Sequence, residues 1–351
     1  MNDIIYNSGT NRSFALTDAI IEMMKSAEKW IKACNLFFDD PRIKEALIAA
    51  ASRGVAIFVL TNLEGTMSGV ETNRKTGKTK KKIQSTQSFA HAAALTTLYD
   101  HGAHISGLDG LHAKFLLVDG GMGIVTSVNF TPNSTQKISE IGVRINGAEF
   151  DELEEIFDHI FVRPDKYHFS NFETHFKYER PKQAIDTDKL PRKSGVRMTL
   201  GATERGTGYA LHNAKCFDLR DEIFSIIGDA QSGDNLYIAT YSLDGTATSR
   251  EGVTLYKTLL DAKKRNVKLN IVQRDINPAY LKEIYINYHK DNHAKLVLTS
   301  TRGILFTGNL TNESFTQGFD LGVILSESQI KQATKFVKQL IMEVKNGTDK
   351  I

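Results

Sequence analysis

The sequence predicts an α/β chain made of two copies of one unit, each copy a mainly parallel or mixed sheet covered by helices. Three observations carry that expectation. Helical patterns alternate with short β-rich runs in both halves, four blocks of residues recur in the same order, and a stretch without sustained period lies between the copies. The length, 351 residues, suits about two domains with real cores. With 41% hydrophobic and 24% charged residues, disorder, collagen and coiled coil are excluded. Two cysteines, Cys34 and Cys216, are too few for a disulfide scaffold and point to a reducing compartment. No apolar run reaches membrane-spanning length and Met1-Asn2-Asp3 opens no secretory signal, so a cytoplasmic protein without integral membrane association is expected.

In chain order, the first half begins with a helical pattern at Phe14–Lys29, a β-rich run at Ile31–Phe38, a helix at Pro41–Ser52 and a buried strand at Ala56–Thr61. An insertion at about 64–87 follows. Its segment Glu71–Gln84 holds Arg74, Lys75, Lys78, Lys80, Lys81 and Lys82 against one acid, lacks a hydrophobic period and reads as a mobile surface loop. A helix is expected at Ser88–His101. The acidic run Glu149–Asp158 carries Phe150, Leu153, Ile156, Phe157, Ile160 and Phe161 at helical spacing in and just beyond it, so its acids form a solvated helix face. Arg163–Val196 then carries half of the six prolines, Pro164, Pro181 and Pro191. The second half repeats the order, with helices at Leu219–Asp229 and Gly252–Lys264 and β runs at Leu236–Tyr241 and Lys268–Val272. The units are therefore 1–165 and 196–351, joined by a linker at 166–195.

The recurring blocks are specific. Ser52–Leu60 resembles Lys264–Val272, and Leu111–Val118 matches Asn292–Leu298. Thr126–Thr131 matches Phe306–Thr311, and Ser139–Val143 matches Phe319–Val323. Four matches in register mean duplication. The copies differ mainly in spacing: Val55 to His112 is 57 residues and Val267 to His293 is 26, so the basic insertion belongs to the first copy alone.

Each copy offers one His, one Lys, one Asn and one acid. His112 and Lys114 lie two apart on a strand and share a face, as do His293 and Lys295. Two such half-sites facing each other across a pseudo-twofold axis would surround one pocket. Lys and Asn donors suit an anionic phosphate and its charged transition state. Two histidines can divide the labour of nucleophile and general acid, and an acid on the far ring nitrogen of each would fix its tautomer.

His112-x-Lys114 followed by four residues and Asp119, then Gly123, Ser127-x-Asn129 and Glu140, resembles the HxK(x4)D and GSxN elements of the phospholipase D superfamily. His293-x-Lys295, Thr307-x-Asn309 and Asp320 are similar, with Ser300 where the family has Asp. The resemblance spans both halves. It implies two repeated phospholipase D-like αβα sandwich domains with mixed sheets and one active site at the pseudo-twofold interface. It further implies phosphodiester cleavage through a covalent phosphohistidine, with no metal or other cofactor. On that analogy His112 is the nucleophile and His293 the general acid, then general base. Lys114, Lys295, Asn129 and Asn309 bind phosphoryl oxygens, while Glu140 orients His112 and Asp320 orients His293. Asp119 and Ser300 support local structure, and Ser127 and Thr307 buttress the asparagines.

The resemblance leaves the substrate open between nucleic acid and lipid. The basic insertion enters just upstream of the first motif. Arg74, Lys75, Lys78, Lys80, Lys81 and Lys82 are therefore expected to track a nucleic-acid backbone, DNA rather than RNA, with a partner protein supplying recognition or translocation. The nearest analogy is with the restriction and defence nucleases of the superfamily. Two other readings stay open: a phospholipase D or phosphatidyltransferase at a membrane surface, whose head groups the same basic loop would bind, and a catalytically silent nucleic-acid-binding module. His101 with His104, and His289 with His293, have spacings compatible with zinc, but no cysteine and few carboxylates lie nearby, so no metal site is expected.

Overall fold

The computed structural model describes residues 3–62, 70–72, 79–81, 86–108, 110–162, 168–169, 176–177, 190–192, 194–201, 216–275 and 283–347. The first half runs β1 (Ile4–Asn7), α1 (Ala15–Ser26), β2 (Trp30–Asn35), α2 (Pro41–Ser52) and β3 (Ala56–Thr61). A hairpin of β4 (Val70–Thr72) and β5 (Thr79–Lys81) follows, then α3 (Thr86–Asp100), β6 (His104–Gly107), β7 (Phe115–Val118), β8 (Met122–Thr126), α4 (Pro132–Gln136), β9 (Glu140–Ile145) and α5 (Gly147–Phe161). A second short hairpin, β10 (His168–Phe169) with β11 (Phe176–Lys177), lies between the halves. The second half runs β12 (Val196–Gly201), β13 (Cys216–Phe217), α6 (Asp218–Gly228), β14 (Asn235–Thr240), α7 (Leu255–Lys264), β15 (Lys268–Gln273), β16 (Ile286–Tyr288), β17 (Leu296–Leu298), β18 (Gly303–Phe306), α8 (Asn312–Thr316), β19 (Gly318–Ile324) and α9 (Glu327–Lys345).

Both large sheets are mixed and share one topology. The first has seven strands in the order β1-β9-β8-β7-β2-β3-β6. The second has eight, β13-β12-β19-β18-β17-β14-β15-β16, with β13 as the extra edge strand. The parallel pairs are β2–β3, β3–β6, β14–β15 and β15–β16, and the other neighbours run antiparallel. The duplication read from the sequence is thus a duplication of fold.

Strands buried on both faces read as continuous apolar runs, and Phe115–Val118 and Leu296–Leu298 are buried at every position. One outer layer joins α1 and α2 to the first sheet through Leu16, Ile20, Leu47, Ile57 and Leu116. Another joins α6 and α7 to the second through Ile223, Ile227, Leu259, Ile271 and Val297. A third core is shared by both halves: Leu153, Ile156 and Phe157 of α5 and Phe336, Val337 and Leu340 of α9 meet the inner faces of both sheets. Each sheet therefore lies between an outer helix pair and an inner helix.

Local chemistry starts the helices. The Asp40 carboxylate accepts from the backbone N–H of Arg42 and Ile43, with Pro41 at the first helical position of α2. Thr131 and Thr311 cap α4 and α8 identically, each accepting from the N–H three residues on. The basic stretch departs from the loop expected of it: its ends pair as the β4–β5 hairpin, Glu71 opposite Lys80. Lys80 and Lys81 fall on β5, while Arg74, Lys75, Lys78 and Lys82 lie outside the described residues.

Candidate active site

The halves meet where their motif segments cross. The backbone N–H groups of His112 and Ala113 donate to the Phe319 carbonyl at 2.9 and 2.8 Å, and Phe319 N–H donates to Gly110 O at 2.9 Å. Reciprocally, His293 N–H donates to Ser139 O at 2.9 Å and Ser139 N–H to Asp291 O at 2.7 Å. Gly318 makes the first crossing possible. It has φ +66°, and a Cβ there would stand 2.1 Å from Gly110 O.

That crossing exchanges the acids. His112 Nδ1 lies 2.9 Å from Asp320, and His293 Nδ1 lies 2.8 Å from Glu140. The sequence-based pairing of Glu140 with His112 and Asp320 with His293 is corrected: each histidine is held by the acid of the opposite repeat. The strand order is the reason. Glu140 begins β9, which lies two strands from β7, so its own repeat's motif is about 10 Å away across the sheet. The start of β9 instead abuts the other motif segment, through the Ser139–Asn292 bridge. Each carboxylate accepts from Nδ1–H, which leaves Nε2 as the basic nitrogen of each ring.

Lys114 and Lys295 are fully buried, and their ammonium groups donate to the carbonyl oxygens of His112 and His293. Lys295 Nζ also lies 3.1 and 3.2 Å from the two ring nitrogens of His293. Ser127 donates to the Glu140 carboxylate, and Thr307 donates to Asp320 at 2.7 Å. Those hydroxyls therefore hold the acids rather than the asparagines. The asparagines are set by two serines that sequence reasoning missed: Asn129 N–H donates to Ser134 Oγ and Asn309 N–H to Ser314 Oγ, both at 2.9 Å. The signal was present, because each serine stands five residues after its asparagine. Among the described residues, Asn129 and Asn309 each have a buried side-chain oxygen with no hydrogen-bond partner.

Asp119 stands apart from this cluster. Its carboxylate accepts from the N–H groups of Glu28, Lys29 and Trp30 and so anchors the start of β2. Ser300 is exposed in the turn between β17 and β18, where Thr299 Oγ1 accepts from the N–H groups of Thr301 and Arg302. Thr299 rather than Ser300 organises that turn.

Burial pushes His112 and His293 below the usual histidine range, His293 to about 4, although Asp320 and Glu140 pull the other way. Burial likewise lowers Lys114 to about 8 and Lys295 to about 7. Burial works to raise Asp320, but His112, Lys114 and Thr307 together outweigh it and hold the carboxyl below its ordinary value. A dry cluster of two lysines, two acids and two neutral histidines has no charge left for an anion unless a proton enters with it. In the free protein the lysines lose their charge as pH rises through about 7 and about 8. Anion affinity is therefore expected to fall above pH 7, approaching about tenfold per unit for each proton that must be taken up. Calorimetry of vanadate binding at pH 8, in buffers of differing ionisation heat, is expected to show net proton uptake.

A cavity of about 280 Å3 opens on His112, lined by Leu36, Asn62, Leu111, Asn309 and Asp320 among others. Asn62, on the wall of this cavity, directly follows β3 and precedes the basic insertion in sequence. Two residues that sequence reasoning passed over flank His293. The Tyr241 ring meets it edge to face at 5.4 Å between centroids, and the Arg274 guanidinium lies 5.5 Å from the Tyr241 ring centre. Among the described residues, no group of three or more His, Cys, Asp or Glu side chains is placed to hold a metal ion.

Comparison with known proteins bears on the fold. The family described as "Cardiolipin synthase, PLD-like domain" matches residues 20–161. Phosphatidylserine synthase of Haemophilus influenzae superposes with a TM-score of 0.62 at 13% identity, over 97% of this chain and 86% of that one. Polyphosphate kinase of Porphyromonas gingivalis superposes with a TM-score of 0.55 at 12% identity over 95% of this chain, which spans about half (49%) of the kinase. Nuc of Salmonella typhimurium, a phospholipase D family member, matches 44% of this chain and 91% of its own at 21% identity and a TM-score of 0.34. No curated protein sequence matches the chain. Among the described residues no helix is long and apolar enough to cross a membrane. The family model therefore identifies the first copy, over residues 20–161, as a phospholipase D-like domain, and the second copy repeats its strand order and its His-x-Lys motif.

Proposed function

We propose that the protein is a nuclease that hydrolyses phosphodiesters of DNA through a phosphohistidine, without a metal. The observation that carries this reading is the departure point of the basic insertion. Asn62 stands on the wall of the cavity that His112 opens into, and the insertion that follows it in sequence carries six cations within nine residues, 74–82.

In this mechanism His112, the more open of the two histidines with 26% of its side chain exposed against 13% for His293, attacks through Nε2. An N–P bond forms, the P–O bond to the leaving nucleotide breaks, and that oxygen takes a proton from His293. The bound diester's negative charge keeps His293 protonated for this step. Water then attacks phosphorus and gives a proton to His293, the N–P bond breaks, and His112 is released. Lys114, Lys295, Asn129 and Asn309 donate to the phosphoryl oxygens. Asp320 and Glu140 hold the Nδ1–H groups of His112 and His293.

The test is to incubate the protein with plasmid, single-stranded DNA, RNA and phosphatidylcholine vesicles in EDTA, beside the His112→Ala and His293→Ala variants. Cutting of nucleic acid by the unmodified protein alone is the expected result. Choline release without nucleic-acid cutting would establish lipid chemistry instead, and cutting abolished by EDTA would end the metal-free mechanism. Neutralising Lys80, Lys81 and Lys82 to Gln is expected to weaken DNA binding and reduce the slope of log affinity against log salt by about 2 to 3. An unchanged slope would remove the arm from the binding surface.

A further inference from the structure

The site is two-fold in backbone but not in its walls. Tyr241 and Arg274 directly follow β14 and β15, just as Leu36 and Asn62 directly follow β2 and β3. The last residues of those strands pair in the same parallel register, Thr240 with Gln273 and Asn35 with Thr61. The His112 side is therefore walled by a leucine and an asparagine, and the His293 side by a tyrosine and a guanidinium.

Arg274 and Tyr241 are fixed to each other. The N–H groups of Arg274 and Asp275 both donate to the Tyr241 carbonyl, at 3.2 and 2.8 Å, and the guanidinium lies over the Tyr241 ring. Both side chains are half-buried. Among the described residues no carboxylate pairs with Arg274. The Tyr241 ring meets both His293 and the Arg274 guanidinium, at 5.4 and 5.5 Å.

In-line attack places the departing group opposite the nucleophile. With His112 attacking, the leaving oxygen points to His293, and whatever that oxygen carries must pass Tyr241 and Arg274. We propose that Arg274, braced on Tyr241, is the subsite for the next phosphate on the leaving side of the scissile bond. This inference rests on the nuclease reading. It makes the enzyme prefer a polyanionic strand to an isolated diester, and it gives the strand a polarity in the site. An arginine suits this task because its planar fork pairs with phosphate oxygens and keeps its charge in a site where burial lowers that of lysine.

The test uses oligonucleotides of one sequence carrying a single neutral methylphosphonate at the phosphate next to the scissile bond, on one side or the other. Product ends identify which side leaves. For the unmodified protein, kcat/KM is expected to drop about tenfold to a hundredfold when the leaving-side neighbour is neutral, and much less when the retained-side neighbour is. Arg274→Gln is expected to erase that difference, and Arg274→Lys to restore part of it. Equal sensitivity to both methylphosphonates in the unmodified protein, or a uniform loss across all oligonucleotides in Arg274→Gln, would overturn the subsite while leaving the nuclease reading intact. If the unmodified protein cuts no oligonucleotide at all, the nuclease reading and the subsite fall together.

Discussion

His112→Ala is expected to lose the first, bond-forming step on every phosphodiester, by on the order of 10^5-fold, while His293→Ala loses that step as much only where the leaving group is poor. The difference follows from the two jobs. Without His112 no N–P bond forms, and no property of the substrate replaces it. Without His293 the bond still forms, but the departing oxygen leaves as an alkoxide. A nucleotide alkoxide is a poor leaving group, whereas p-nitrophenolate needs no proton. On bis(p-nitrophenyl) phosphate the His293→Ala variant is therefore expected to release a burst of p-nitrophenol and stall, because hydrolysis of the phosphohistidine needs the base that was removed. The burst, read in a stopped-flow spectrophotometer, should match the enzyme concentration, and the trapped phosphate should map to residue 112. A burst from His112→Ala with phosphate on residue 293 would reverse the two roles.

The duplication, and with it most of the site, was legible because catalysis here needs residue types that recur in short segments. Two His-x-Lys pairs, each followed 16 or 17 residues after the His by Asn and 11 residues further by an acid, are visible without any structure. Strand propensity and helical period placed β3, α2 and α7 closely, since buried parallel strands and amphipathic helices carry their own signals. What was not legible was which acid serves which histidine. That depends on how two sheets dock, and the docking is written in backbone hydrogen bonds between Gly110–Ala113 and Phe319, which have no side-chain signature beyond Gly318. Tyr241 and Arg274 escaped for a related reason. They belong to the second repeat alone, and a search for recurring residues discards whatever breaks the repeat. The basic arm was found by composition, but its short hairpin was not, because pairing of three residues a side leaves almost no pattern.

The crossed acids make a prediction that the uncrossed arrangement reverses. Asp320 accepts Nδ1–H of His112 and the Thr307 hydroxyl, and Glu140 accepts Nδ1–H of His293 and the hydroxyls of Ser127 and Ser134. An amide at either position presents NH2 groups where only acceptors fit, which favours the wrong tautomer and removes the charge that stabilises the protonated ring. The cost of such a change is about 10^3- to 10^4-fold. Asp320→Asn should therefore behave as a weakened His112 variant, slow on every substrate and without a burst. Glu140→Gln should behave as a weakened His293 variant, with a burst of p-nitrophenol followed by slow hydrolysis of the phosphohistidine. If each acid served its own repeat, the two signatures would be exchanged. Gly308 supplies an independent check, since a Cβ there would stand 2.6 Å from the Asp320 carboxylate. Gly308→Ala must push that carboxylate aside, and because Asp320 holds His112, the variant is expected to share the uniform loss of Asp320→Asn rather than the leaving-group dependence of Glu140→Gln. A folded Gly308→Ala protein that shows the burst would break the link between Asp320 and His112.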